Sequence, residues 1–174
     1  LRPLLPHALQ NKVPQLSQQQ SAGRRPTAVH ARKMLLLDGC VQPAMSPNIN
    51  AATARVFDAL GVQLVVAPKA GCCGAIRYHL NDQAGGLDDM RRNIDAWWPL
   101  VEAGVEAIVM TASGCGVTVK EYGHLLAADP TYAQKAARVS ALTRDLSEIL
   151  PDFEAELVQK LDGKISKRVA YHPP

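Results

Sequence analysis

The sequence predicts an α/β fold: an open, mostly parallel sheet with helices on both faces and cysteines at the C-terminal ends of its strands. Three observations carry that expectation. Short apolar runs in "MLLLDGC", "LVVAPKAGCC" and "AIVMTASGC" each lead through a glycine-marked turn into cysteine. Stretches of helical period lie between them, and unbroken apolar strands alternating with helices mark a parallel sheet buried on both faces. The strings "LGVQLVVAPKAGC" and "AGVEAIVMTASGC" both place a cysteine eleven residues after a glycine, so one βα unit is used twice.

Residues 1–32 hold "LRPLLPHALQNKVP" and "QLSQQQSAGRRPT", rich in proline, glutamine and serine with no sustained period. They read as a linker with one short helix around His7 to Lys12. Arg24, Arg25, Arg32 and Lys33 lack the interleaved aromatic residues of a base-stacking surface and read as solvated positions. Met34–Leu37 is the first strand. Ser46 and Pro47 mark a helix start, serine as N-cap and proline at the first helical position. Ile49, Ala52, Val56 and Leu60 recur at helical spacing, and Gly61 closes the helix in the left-handed region. Val62–Ala67 is the second strand, stopped by Pro68, and "KAGCCGAIRYHLND" follows as a long loop. A second amphipathic helix spans Leu87–Ala103, with Leu87, Met90, Ile94, Trp97, Trp98 and Val101 on its apolar stripe and a kink expected at Pro99. Gly104 caps it. Val105–Thr111 is the third strand, "SGCG" a turn, and Val117–Ala127 a helix. Two further helices are expected in "PTYAQKAARVSALTRDLSEIL" and "PDFEAELVQKL", parted by Pro151 and ended by Gly163, before a last strand over Lys167–His172.

With 174 residues, 47% of them apolar, the chain can build one substantial core. The net charge of +3 is small and dispersed, which argues against a nucleic-acid partner or a broad membrane footprint. No apolar run approaches a bilayer span, and no basic segment followed by an apolar one opens the chain, so a cytoplasmic protein is expected. Four cysteines are too few for a secreted disulfide scaffold; clustered in a reducing compartment, such residues bind metal or do redox work. The chain starts at Leu1 and stops at "YHPP" directly after a strand-like run, and is expected to be an excerpt of a longer one.

Ligands of an open parallel sheet bind along the edge where the strand C-termini lie. Cys40, Cys72, Cys73 and Cys115, far apart in sequence, are therefore expected at one location. The helices that follow them turn N-terminal amides toward that edge, which favours thiolate. Gly71, Gly74, Gly114 and Gly116 remove bulk, so backbone N–H groups can approach sulfur. Four thiolates suit an iron–sulfur cluster, [4Fe-4S] or related, or a structural zinc ion. The paired CxxC knuckles of zinc sites are missing, and adjacent cysteines ligate neighbouring irons better than one small ion. Three other readings stay open: one or two of the cysteines as ordinary buried thiols, a non-catalytic docking domain with a zinc or metal-free site, and a thiol–disulfide module using a vicinal Cys72–Cys73 bond or one of the two as nucleophile. His79, Arg77, Tyr78 and Lys120 lie near enough in sequence to reach the site but read as surface or packing residues. His124 falls on a helix face and His172 toward a following half. No acid/base constellation is visible, so no catalytic residue is assigned.

At these cysteines the chain resembles the cysteine-rich CCG domain, whose pattern is an isolated Cys, a later Cys-Cys-Gly and a final Cys-x-x-Cys. Cys40, Cys72-Cys73-Gly74 and Cys115 match in order over residues 33 to about 127. Ala112 stands where the first cysteine of the last pair would fall, so the five-cysteine set of the heterodisulfide reductase relatives is incomplete. The strings "LLLDGCVQPAMSPNINAATARV", "APKAGCCGAIRYHL" and "TASGCGVTVKEYGHLL" resemble the iron–sulfur subunits of glycolate oxidase (glycolate dehydrogenase). That resemblance implies a Rossmann-like CCG fold over residues 33–165, with a cofactor held by the four cysteines beside Gly74 and Gly114. It also implies that residues 1–32 link to a preceding ferredoxin-like segment and that 166–174 begin a second CCG repeat. The implied role is electron transfer within a flavin-linked 2-hydroxy-acid dehydrogenase. Flavin would sit on partner flavoprotein subunits, and the complex would associate peripherally with the inner face of the membrane.

Overall fold

The computed structural model describes residues 6–7 and 21–161. The short helix expected over His7–Lys12 lies, apart from His7, outside them, as do Gly163 and the strand expected over Lys167–His172.

Four strands form one parallel sheet: β1 (Arg32–Leu36), β2 (Val62–Val65), β3 (Ile108–Met110) and β4 (Thr143–Asp145), in the order β2-β1-β3-β4. The apolar run of β1 is buried on both faces because successive residues alternate sides. Leu35 and Leu37 pack with Met90, Ile94, Trp97, Ile108 and Met110 on one face. Met34 and Leu36 pack with Phe57, Val62, Val109, Ile149 and Phe153 on the other. Each such side chain taken fully out of water contributes about 1.5–3 kcal/mol. The chain passes from β1 outward to β2 and then back across β1 to β3, so the winding reverses between β1 and β3. Open sheets bind ligands beyond the strand ends at such a reversal.

The connection from β1 to β2 runs through a short α1 (Gln42–Met45) and α2 (Asn48–Ala59). Ser46 closes α1 instead of capping α2, whose N-cap position is Pro47 with no side-chain cap bond. The buried face of α2 is also offset from the expected stripe. Ile49 and Val56 are 38% and 41% exposed, while Asn50, Ala51, Thr53 and Phe57 are buried. Asn50 turns inward because its amide is spent on the Asp38 loop, as described below. Gly61 and Gly104 both take positive φ, +74° and +87°, as the two caps required.

The expected long loop after β2 contains a helix, α3 (Ala75–His79), beginning directly after Cys73-Gly74. Gly74 has φ +91°, and a Cβ there would stand 2.7 Å from the Gly86 carbonyl oxygen. Glycine thus lets α3 cross closely over α4 (Gln83–Glu102). The long helix starts four residues before the expected Leu87, with Asp82 as cap accepting from the Gly85 N–H, and it runs through Pro99 to Glu102. Trp97 is fully buried and stacks on Tyr122, while Trp98 is half-buried beneath the Lys135 ammonium.

After β3 the chain enters α5 (Ser113–Lys120) at once, then α6 (Tyr122–Leu125). "SGCG" is therefore the first helical turn and not a turn preceding a helix. The helix expected across residues 131–150 is broken: α7 (Ala133–Leu142) ends in β4, followed by α8 (Leu146–Ile149), a 3-10 turn at Leu150–Phe153 and α9 (Glu154–Lys160). Thr143–Asp145 carries no strand pattern of its own. It pairs because β3 leaves an open edge, and Asp145 then forms a capping box with Glu148.

Candidate metal centre

The loops leaving β1 and β2 and the first turn of α5 deliver the four cysteines to one place. Cys40, Cys72, Cys73 and Cys115 line a single cavity of about 410 Å³, together with Gln42, Ile76, His79, Ala112, Gly114 and Thr118 among others. The thiols form one contiguous group. The Cys40 thiol donates to the Cys72 sulfur at 3.6 Å, and the Cys73 thiol lies beside both Cys115 and Cys72. Cys40 is exposed, Cys72 and Cys115 are half-buried and Cys73 is buried; none forms a disulfide. Among the described residues, no three His, Cys, Asp or Glu side chains converge closely enough to enclose one metal ion.

Hydrogen bonding makes the two inner thiols unequal. The bond from Cys73 holds Cys115 below the ordinary thiol range, against the opposing effect of its burial. Donating that bond, together with burial, pushes Cys73 well above the range, although the Ala75 N–H donates to its sulfur. Cys40 is raised as well, first by burial and then by its bond to Cys72.

Side chains the sequence did not single out hold the loops. Asn50 Nδ2 donates to both the carbonyl and the carboxylate of Asp38, each at 2.9 Å. Thr111 donates to Asn50 Oδ1 at 2.8 Å, and Gln42 Nε2 donates to Thr111 Oγ1 at 2.6 Å, tying the ends of β1 and β3 together. Behind Cys72 and Cys73, Asn93 Nδ2 donates to the Cys72 carbonyl at 2.7 Å and Asn93 Oδ1 accepts from the Gly71 N–H at 2.8 Å. Tyr122 donates its hydroxyl proton to the Cys73 carbonyl at 2.7 Å. Asn93 had a signal in sequence: an amide beside Met90, Ile94 and Trp97 on an apolar stripe. Tyr122 had none.

The remaining nominated residues separate cleanly. His79 lines the cavity. Arg77 pairs with Asp82 at 2.7 Å, Tyr78 packs against Gly86, and Lys120 pairs with Glu148 at 2.6 Å. His124 is exposed on α6, and His172 lies outside the described residues. Arg25 and Arg32, read as solvated, bind Asp38 and Glu106 at 2.6 and 2.8 Å. Gly114 faces open space at the cavity wall, and Gly116 lies against Met110. Ala112 lines the cavity at the extended N-cap position of α5.

Fold and site together define a parallel α/β domain that gathers four thiols at the switch point of its sheet. The CCG family, described as a cysteine-rich domain, matches residues 34–120, and the chain belongs to it. It is 52% identical over all 174 residues to the "Glycolate oxidase iron-sulfur subunit" of Escherichia coli K12, covering 42% of that protein. It is 30% identical over 123 residues to the "Probable glycolate oxidase iron-sulfur subunit" of Bacillus subtilis, covering 71% of this chain and 27% of that one. It is 24% identical over 140 residues to "Lactate utilization protein A" of Bacillus licheniformis, covering 80% of this chain and 56% of that one. The chain thus spans less than half the length of the two glycolate oxidase relatives. No solved structure matches it significantly. Among the described residues no helix is long and apolar enough to cross a membrane.

Proposed function

We propose that this chain is an electron-transfer module holding an iron–sulfur cluster on Cys40, Cys72, Cys73 and Cys115. The observation that carries the reading is that four thiols line one 410 Å³ cavity without three of them converging on a single point. A single zinc ion asks for four donors within about 2.3 Å of one point, whereas a cluster spreads its ligands over several irons. The open space at Gly114 leaves room on the wall for a body larger than an ion. When bound, such a group supplies one-electron redox chemistry. The chain's part is to fix the four sulfurs and to keep Cys73 out of water.

The finer reading takes glycolate oxidase from the relatives' names and the flavin and membrane association from the family resemblance in sequence. The module passes electrons in the flavin-linked oxidation of a 2-hydroxy acid, glycolate, with flavin on partner flavoprotein subunits of a cytoplasmic complex peripherally bound to the membrane. Residues 1–32 would link to a preceding ferredoxin-like segment, 33–165 form the first CCG domain, and 166–174 open a second. Full-length protein reconstituted anaerobically with iron and sulfide should give a dithionite-reducible EPR signal that glycolate and the flavoprotein subunits also produce. A signal produced by dithionite but never by glycolate with its flavoprotein would remove the assignment to 2-hydroxy-acid oxidation.

A further inference from the structure

Neighbouring residues of an extended chain point to opposite sides, yet Cys72 and Cys73 both line the cavity. The segment that carries them lies outside any helix or strand, and the chain bends directly after it at Gly74. Asn93 and Tyr122, each 0% exposed, grip it from behind. Asn93 Oδ1 takes the Gly71 N–H at 2.8 Å, and Asn93 Nδ2 serves the Cys72 carbonyl at 2.7 Å and the Tyr122 hydroxyl at 3.2 Å. Tyr122 in turn serves the Cys73 carbonyl at 2.7 Å. A buried amide on an apolar helix face destabilises unless its bonds are made. Every bond recorded for this one goes to the cysteine segment or to the tyrosine that also holds it.

We propose that Asn93 and Tyr122 are positioning residues that hold the Gly71–Cys73 backbone in the shape that brings both adjacent cysteines to the cavity. The inference rests on the proposed function for the use made of those thiols, but the geometry can be tested without iron. Dibromobimane fluoresces only when both its arms have alkylated neighbouring thiols, and mass spectrometry locates the bridge. The iron-free, reduced protein is compared with Asn93→Leu, Tyr122→Phe and the control Ile94→Val, at a temperature where each keeps the wild-type circular dichroism spectrum. Bridging of Cys40 to Cys72 is expected to slow about tenfold in Asn93→Leu and about fivefold in Tyr122→Phe, the scale of a lost buried hydrogen bond, and to stay unchanged in Ile94→Val. A wild-type rate in Tyr122→Phe, or an equal slowing in Ile94→Val, overturns the proposal, and these two variants decide it even if Asn93→Leu does not fold. Iron uptake by the wild type is measured in parallel. A protein that takes no iron removes the cluster, while the bridging rates still decide the role of Asn93 and Tyr122.

Discussion

Cys40 and Cys72, thirty-two residues apart in the chain, bring their sulfurs to 3.6 Å at the point where the winding of the sheet reverses. That separation puts the pair within reach of a disulfide when no metal is bound, whereas a vicinal Cys72–Cys73 bond would strain the peptide between them. Mild oxidation of the metal-free protein with diamide should yield the Cys40–Cys72 bond first, two thiols giving up two electrons and two protons to the diamide. Peptide mapping by mass spectrometry reads the order. A vicinal Cys72–Cys73 bond appearing first would reverse this assignment.

Gly74 and Gly114 should respond oppositely to alanine. At Gly74 the positive φ and the Gly86 carbonyl 2.7 Å from the added Cβ should cost about 1–3 kcal/mol, read as a lower urea midpoint. Gly114 lies in α5 with nothing within 4 Å of a Cβ, so alanine should leave stability unchanged or raise it by up to about 1 kcal/mol. The same methyl group intrudes on the cavity wall and should lower iron uptake. Equal iron uptake by wild type and Gly114→Ala would place the bound group away from that wall.

The inner thiols should ionise in a fixed order. The Cys73 bond lowers Cys115, so its thiolate forms at lower pH, while Cys73 stays protonated to higher pH. Iodoacetamide labelling of the metal-free protein, followed by site against pH, should rise first at Cys115 and last at Cys73. Labelling at Cys73 preceding that at Cys115 would contradict the hydrogen-bond direction.

Ala112 lines the cavity at the position where the resemblance to the Cys-x-x-Cys end of the CCG pattern would put a fifth cysteine. Ala112→Cys should therefore add a thiol that faces the same space. The expected result is a changed EPR line shape at undiminished iron content after reconstitution. A spectrum identical to wild type would show that residue 112 does not reach the bound group.

The parts of the fold legible in sequence are those where local pattern and tertiary demand agree. β1 reads as doubly buried because Met34–Leu37 is apolar throughout, and Gly61 and Gly104 read as caps because their backbone conformation requires glycine. The convergence of the cysteines followed from sheet topology alone. What escaped was set by partners distant in sequence. Thr143–Asp145 is a strand only because β3 offers an edge, and α2 turns Asn50 inward only because Asp38 waits there. Cys115 lies inside a helix because α5 starts directly at the end of β3, and the grip of Tyr122 on Cys73 spans forty-nine residues. Periodicity holds no record of contacts at such range.

The four thiols are proposed to hold one polynuclear iron–sulfur group, and reconstitution tests this most directly. Protein incubated anaerobically with iron and sulfide, then desalted, should retain both elements and show the broad visible absorption of sulfide-to-iron charge transfer, and a Cys72→Ser/Cys73→Ser variant should lose both. Retention of stoichiometric zinc with no iron uptake, or a wild-type spectrum in the double variant, would contradict it.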